Sequence, residues 1–168
     1  MEKSYNEYLN HITTFIFDVD GVLADHSIFV FTNGQIVRQL HQKELVALEK
    51  AVSQKFIVGV ITGGSLGGLL TTFHNLGIRD IYEKKRDKKA AYDDFKLMYD
   101  LDDEQILYMG DDLPDYAVMR IVGLPTCPQN AAPEVKEISI YTSPYSGGQG
   151  CVRDVIEKVM KLQKVWHP

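Results

Sequence analysis

Cysteine is scarce and basic charge is in deficit. Only Cys127 and Cys151 occur in 168 residues; two thiols cannot staple a scaffold, and idle thiols in a reducing compartment fit them better than a single bridge. Lys and Arg number 18 against 23 Asp and Glu, a formal net charge of −5. No global field therefore draws nucleic acid or an anionic membrane. No stretch approaches the ~20 apolar residues of a membrane span. Met1–Asn10 has neither an apolar centre nor a small-residue cleavage site. The expectation is a cytoplasmic protein with no nucleic-acid or membrane partner. Repeats, low-complexity tracts and linker-like breaks are also missing, so one domain is expected over 1–168, with its core over about 12–161.

What is present is a globular composition, 45% hydrophobic and 24% charged, long enough to bury roughly 68–70% of the unfolded surface. Three apolar runs each end in a small polar cluster. Thr14–Phe17 leads into Asp18-Val19-Asp20-Gly21, Phe56–Ile61 into Thr62-Gly63-Gly64, and Ile106–Met109 into Gly110-Asp111-Asp112. Such runs suit strands buried on both faces. Helices are predicted over Lys43–Gln54, Ser65–Leu76 with Ser65 as cap, Asp87–Tyr99 capped by Asp87, Leu113–Ile121 and Asp154–Gln163. Alternating strands and helices imply an α/β fold with a parallel sheet and right-handed crossovers.

One segment interrupts the alternation. Ser27–Phe31, Thr32-Asn33-Gly34 and Gln35–Leu40 read as a β-hairpin turning at Asn-Gly. Its first arm is apolar on successive residues, so both faces need cover, either from its own core or from copies of itself.

Ligands of open α/β sheets bind at the carboxyl ends of strands. Here those ends carry Asp18, Asp20, Thr62, Asp111 and Asp112, with Asp115 a turn later. Any one of these is an ordinary turn former or cap, and Lys88 alone is an ordinary member of a basic run. Converging carboxylates, however, disfavour joint ionisation unless a cation sits among them. Oxygen ligands without a His or Cys cluster favour a hard cation, Mg²⁺ above all, which in turn favours a phosphate.

In this order the residues resemble the haloacid dehalogenase-like phosphatases. Asp18-Val19-Asp20-Gly21-Val22-Leu23 is similar to their nucleophile motif, Thr62 stands as the second motif, Lys88 as the third and Gly110-Asp111-Asp112-Leu113-Pro114-Asp115 as the fourth. The resemblance implies one Rossmann-like domain, a central parallel sheet with helices on both faces and a projecting hairpin. The intervals between motifs leave no room for a cap domain. It also implies Asp18 as nucleophile, Asp20 as general acid and base, Thr62 on a phosphoryl oxygen and Lys88 as a fixed positive charge. Mg²⁺ falls to Asp18, the Asp20 carbonyl and Asp111, with Asp112 and Asp115 orienting Lys88 and bound water.

The hairpin and the late Gly147-Gly148-Gln149-Gly150-Cys151-Val152-Arg153 run are most similar to the capless phosphatases of 3-deoxy-D-manno-octulosonate 8-phosphate and of nine-carbon sugar-acid phosphates. That subgroup implies a phosphorylated sugar acid as substrate and a homotetramer built through the 27–40 hairpin. His41, Lys43, Gly63 and Gly64 are the implied substrate contacts. Gly64, Thr72 and Gln149 stand where the subgroup carries arginine, and Arg38, His41, Lys43 and Arg153 are the basic residues available instead. Another small phosphate ester, or an oligomeric scaffold with a relict site, stays open. A phospho-signalling receiver is disfavoured, because its lysine follows all its acids.

Overall fold

A computed structural model describes residues 4–167. The first three residues of the polar amino-terminal stretch, and Pro168, lie outside the described residues. The remainder of that stretch forms α1 (Tyr5–His11), begun by the Glu7 carboxylate accepting from the Ser4 amide at 2.9 Å. The three apolar runs become β1 (Thr14–Phe17), β4 (Ile57–Ile61) and β6 (Ile106–Met109). With β5 (Asp80–Tyr82), β7 (Leu124–Cys127) and β8 (Tyr141–Thr142) they form one six-stranded sheet in the order β5-β4-β1-β6-β7-β8, every pair parallel.

β1 lies at the centre, with Phe15 paired to Val58 on one side and Leu107 on the other. Its alternation divides the core. Phe15 and Phe17 pack with α2 (Gln42–Ser53), α3 (Gly68–Asn75) and α7 (Cys151–Leu162). Ile16 faces the opposite layer of α4 (Lys88–Tyr99), α5 (Tyr116–Met119) and α6 (Pro133–Ile138). This is the expected α/β sandwich without a cap. The chain runs outward from β1 to β4 and β5, then returns to β6, so the order reverses between β1 and β6. Crevices form at such a reversal, and Asp18 and Asp111 follow these two strands.

Several boundaries differ from the expectation. Ser65 does not cap α3, which starts at Gly68 behind Gly67 in a positive-φ conformation. The 62–66 segment is tied instead to the strand end opposite. Lys85 N donates to Thr62 O at 3.0 Å, Lys84 N to Gly64 O at 3.0 Å, and Leu66 N to the Glu83 carboxylate at 2.8 Å. Leu113–Ile121 is not one helix but a 3₁₀ turn, Leu113–Asp115, leading into α5. α7 begins three residues early, at Cys151, because Glu44 accepts from the Gly150 and Val152 amides and so starts the helix there.

The hairpin forms, but only as two-residue strands, β2 (Phe29–Val30) and β3 (Ile36–Val37). Phe31 N bonds Gln35 O across Thr32-Asn33-Gly34, a three-residue loop with Gly34 at φ 82°. That is one residue longer than an Asn-Gly turn. Both arms stand exposed rather than folded onto their own core: Phe29 is 61% exposed, Val30 65% and Phe31 55%.

Candidate active site

β1 delivers Asp18 to the sheet edge, where its amide bonds Met109 O at 3.1 Å. The chain then turns tightly through Gly21, at φ 87°. β4 delivers Thr62, whose amide bonds Tyr82 O at 2.9 Å and whose hydroxyl accepts from Gly64 N at 3.2 Å. Since α3 starts later than expected, the amides beside Thr62 belong to a loop and not to a helix terminus. Lys88 opens α4 behind Asp87, which accepts from Ala90 N at 3.1 Å. β6 and the 3₁₀ turn supply Asp111 and Asp115.

These side chains meet in a cleft of about 260 Å³, lined also by Asp20, His26, Gly63, Gly64, Asp112 and Pro114. Carboxylate oxygens of Asp18, Asp111 and Asp115 come within 4.8 Å of one another. Lys88 Nζ stands 2.9 Å from Asp18 Oδ1 and 2.7 Å from Asp115 Oδ1. All four residues are buried.

Asp115 is fully committed. It accepts from Lys88, from the Tyr108 hydroxyl at 2.6 Å, and from the Asp111 and Asp112 amides at 3.1 and 3.4 Å. It therefore holds Lys88 in place and offers nothing further to a metal. Asp112 does not help to hold the lysine, because its carboxylate turns to the Leu113 amide at 2.8 Å and starts the 3₁₀ turn.

Burial, and next the Asp115 charge, hold Asp18 well above the ordinary carboxylate range, against the pull of Lys88. The same two causes raise Asp111, opposed by His26. Burial lowers Lys88, but Asp115 and Asp18 outweigh it and the net shift is upward. The cleft thus has more buried negative charge than one lysine balances. Hard oxygen donors short of positive charge fit a small divalent cation such as Mg²⁺.

Residues 72–153 match the family model described as haloacid dehalogenase-like hydrolase. The 3-deoxy-D-manno-octulosonate 8-phosphate phosphatase KdsC of Yersinia pestis is 30% identical over 153 residues, 91% of this chain and 82% of that protein. The chain belongs to the haloacid dehalogenase-like hydrolases. Among solved structures of this family, the Yersinia pestis phosphatase has a TM-score of 0.92 at 29% identity, over 95% of this chain and 86% of that one. The Moraxella catarrhalis phosphatase, described as a complex with magnesium ion, phosphate ion and KDO, has a TM-score of 0.91 at 28% identity, over 95% and 91%.

In this haloacid dehalogenase-like hydrolase the implied substrate contacts divide. Gly63 and Gly64 line the acidic cleft. His41 and Lys43 do not; with Gln149 and Arg153 they line a different cavity of about 480 Å³ beside the start of α7. The reason is that α2 begins at Gln42 and packs along α7, which carries its first turn away from the cleft.

Arg38, from the arm of the hairpin, takes the place nearest the site. Its guanidinium bonds both oxygens of Asp20, at 2.5 and 3.1 Å, and Ser65 O at 2.9 Å. A side chain at Gly64 would crowd it, since a Cβ there would lie 3.0 Å from Arg38 Nη2. His26 was not legible as a site residue. It bonds Asp111 Oδ2 at 2.7 Å from 85 positions away, and a histidine in a polar loop carries no local signature of that contact.

Proposed function

We propose that this chain is a Mg²⁺-dependent phosphomonoesterase acting through an aspartyl-phosphate, with 3-deoxy-D-manno-octulosonate 8-phosphate as its substrate. The observation that carries the chemistry is Asp18 Oδ1 held 2.9 Å from buried Lys88 beside Asp111, at the reversal of strand order. The substrate is carried over from the phosphatases to which the chain is similar along most of its length.

Asp18, the Asp20 carbonyl and Asp111 would hold the cation. When bound, it supplies positive charge that lets a phosphate approach a carboxylate. Asp18 attacks phosphorus in line, an oxygen–phosphorus bond forms, and the ester bond to the sugar oxygen breaks. Asp20, once turned off the Arg38 guanidinium that takes both its oxygens at rest, gives that oxygen its proton. In the second half Asp20 takes a proton from water, water oxygen bonds phosphorus, and the bond to Asp18 breaks to release phosphate. The Thr62 hydroxyl, held by the Gly64 amide, and the Gly63 amide hold the non-bridging oxygens. Lys88, fixed by Asp115, favours the charged form of Asp18 against its burial and aims it.

Lys88 and His26 are the cleft lining's basic residues, and Arg38 is engaged with Asp20. A sugar carboxylate, which arginine reads well, thus finds no free guanidinium in the cleft. This supports assembly of a homotetramer through the exposed 27–40 hairpin, a neighbour completing each site. It equally favours a second reading, in which a nine-carbon sugar-acid phosphate or another small ester is the substrate. The compartment in this reading is the cytoplasm, consistent with two free, buried thiols. Among the described residues, no helix is long and apolar enough to cross a membrane.

The test is phosphate release with Mg²⁺ over a panel of sugar phosphates, alongside Asp18→Asn. Preference for the eight-carbon acid, lost in the variant, is expected. Activity confined to other esters would replace the substrate, and silence on every ester would overturn the enzyme.

A further inference from the structure

His26 has no part in the steps above, yet it is built into the cleft. Its Nε2 lies 2.7 Å from Asp111 Oδ2, and a chain of contacts stands behind it. Gly147 N donates to Asn130 Oδ1 at 2.9 Å, which fixes the orientation of that amide. Asn130 Nδ2 then faces His26 Nδ1, at 3.5 Å. With Nδ1 accepting, the ring proton sits on Nε2 and is donated to Asp111. Room for the pair exists because Gly21 has no side chain: a Cβ there would run into Asp111 Oδ2 and His26 Nε2.

His26 is not itself one of the ligand groups brought within 4.8 Å of one another. It acts on a ligand instead. By taking one acceptor site of Oδ2 it sets that oxygen against the cation and favours binding through Oδ1 alone. A carboxylate limited to one oxygen suits a small octahedral cation, whereas Ca²⁺ readily takes both oxygens of a carboxylate. Resting on the reading of Asp111 as a cation ligand, we infer that His26 is a positioning residue that makes Asp111 a one-oxygen ligand, strengthening Mg²⁺ binding and biasing the site against Ca²⁺.

Calorimetric titration of Mg²⁺ and Ca²⁺ tests this without any turnover. His26→Ala is expected to weaken Mg²⁺ roughly tenfold or more, within the range that loss of a ligand's supporting bond produces. Ca²⁺ affinity should fall less or rise, so the Ca²⁺-to-Mg²⁺ affinity ratio increases. His26→Gln, which offers an N–H donor from a similar reach, should recover part of the Mg²⁺ affinity. The melting temperature in chelator should move by no more than about 2 °C, as for an exposed substitution. Unchanged Mg²⁺ affinity in His26→Ala would overturn the inference. So would tighter Mg²⁺ binding, which would make His26 a competitor of the cation. Asp111→Asn separates the two levels: if it binds Mg²⁺ like the parent, the cation site itself is misassigned. If it loses Mg²⁺ while His26→Ala does not, only the role of His26 falls.

Discussion

Replacing Lys88 by methionine keeps a long apolar stem and removes one charge. Lys88 is 4% exposed and Asp115 fully buried, with Asp18 6% exposed, so water cannot take over the lost partner. Breaking a buried ion pair from one side costs roughly 3–5 kcal/mol, because an uncompensated charge stays behind. At about 2–4 °C per kcal/mol for a chain of this size, that is a fall in melting temperature of roughly 6–20 °C. The sign with pH follows from Asp18. Its folded pKa already lies above the unfolded one, and without Lys88 it rises further. A raised acid contributes stability that is complete below the unfolded pKa, near 4, and is lost as pH rises through the folded value. The gap between parent and Lys88→Met should thus be smaller at pH 5 than at pH 8. Melting curves in chelator at both pH values measure it, and adding Asp115→Asn should restore part of the loss. A gap below about 1 kcal/mol, or one equal at both pH values, would refute the buried-charge argument.

Three further outcomes are expected. Arg38→Ala, which removes the group that aims Asp20, should lower kcat/KM for a sugar phosphate roughly 10- to 100-fold. Aryl phosphates, whose leaving oxygen departs without an acid, should lose little, and equal losses would exclude a role through Asp20. Glu44, raised by burial to about 7 from an ordinary 4.5, contributes stability that is full below about 4.5 and fades as pH rises through about 7. That difference is worth roughly 3 kcal/mol, so Glu44→Gln should flatten the melting temperature between pH 5 and 8. Charging the hairpin with Phe29→Asp and Phe31→Asp should shift the sedimentation profile toward the single chain, and an unchanged profile would remove the hairpin from any assembly.

β1, β4 and β6 were legible because strands covered on both faces read as short unbroken apolar runs, and Asp87 because a capping side chain sits beside its helix. β7 was hidden by Pro125, a residue that argues against a strand, although its carbonyl still accepts from Ile140 N. β5 and β8, three and two residues long, lack the length for any period to show. The order Asp18, Thr62, Lys88, Asp111 placed the cleft, since each ends or follows an element whose position the topology sets. What stayed hidden were contacts made across the chain: His26 on Asp111, Tyr108 on Asp115, Arg38 on Asp20. His41 and Lys43 line another cavity, because a matching position at the opening of α2 does not fix which way that helix turns its first residues.

The cleft has a volume of about 260 Å³, below the roughly 300–1,000 Å³ usual for a site that encloses a small molecule. A space of that size suits a phosphoryl group and little more, so the remainder of a larger ester would extend past the wall. The machinery that breaks the bond and the surface that recognises the tail are then physically separable. Changes along the rim, at the hairpin or on whatever faces it, are free to alter which ester is hydrolysed while Asp18, Lys88 and Asp115 stay untouched. Selectivity of this kind can drift quickly between relatives that share one unchanging reaction.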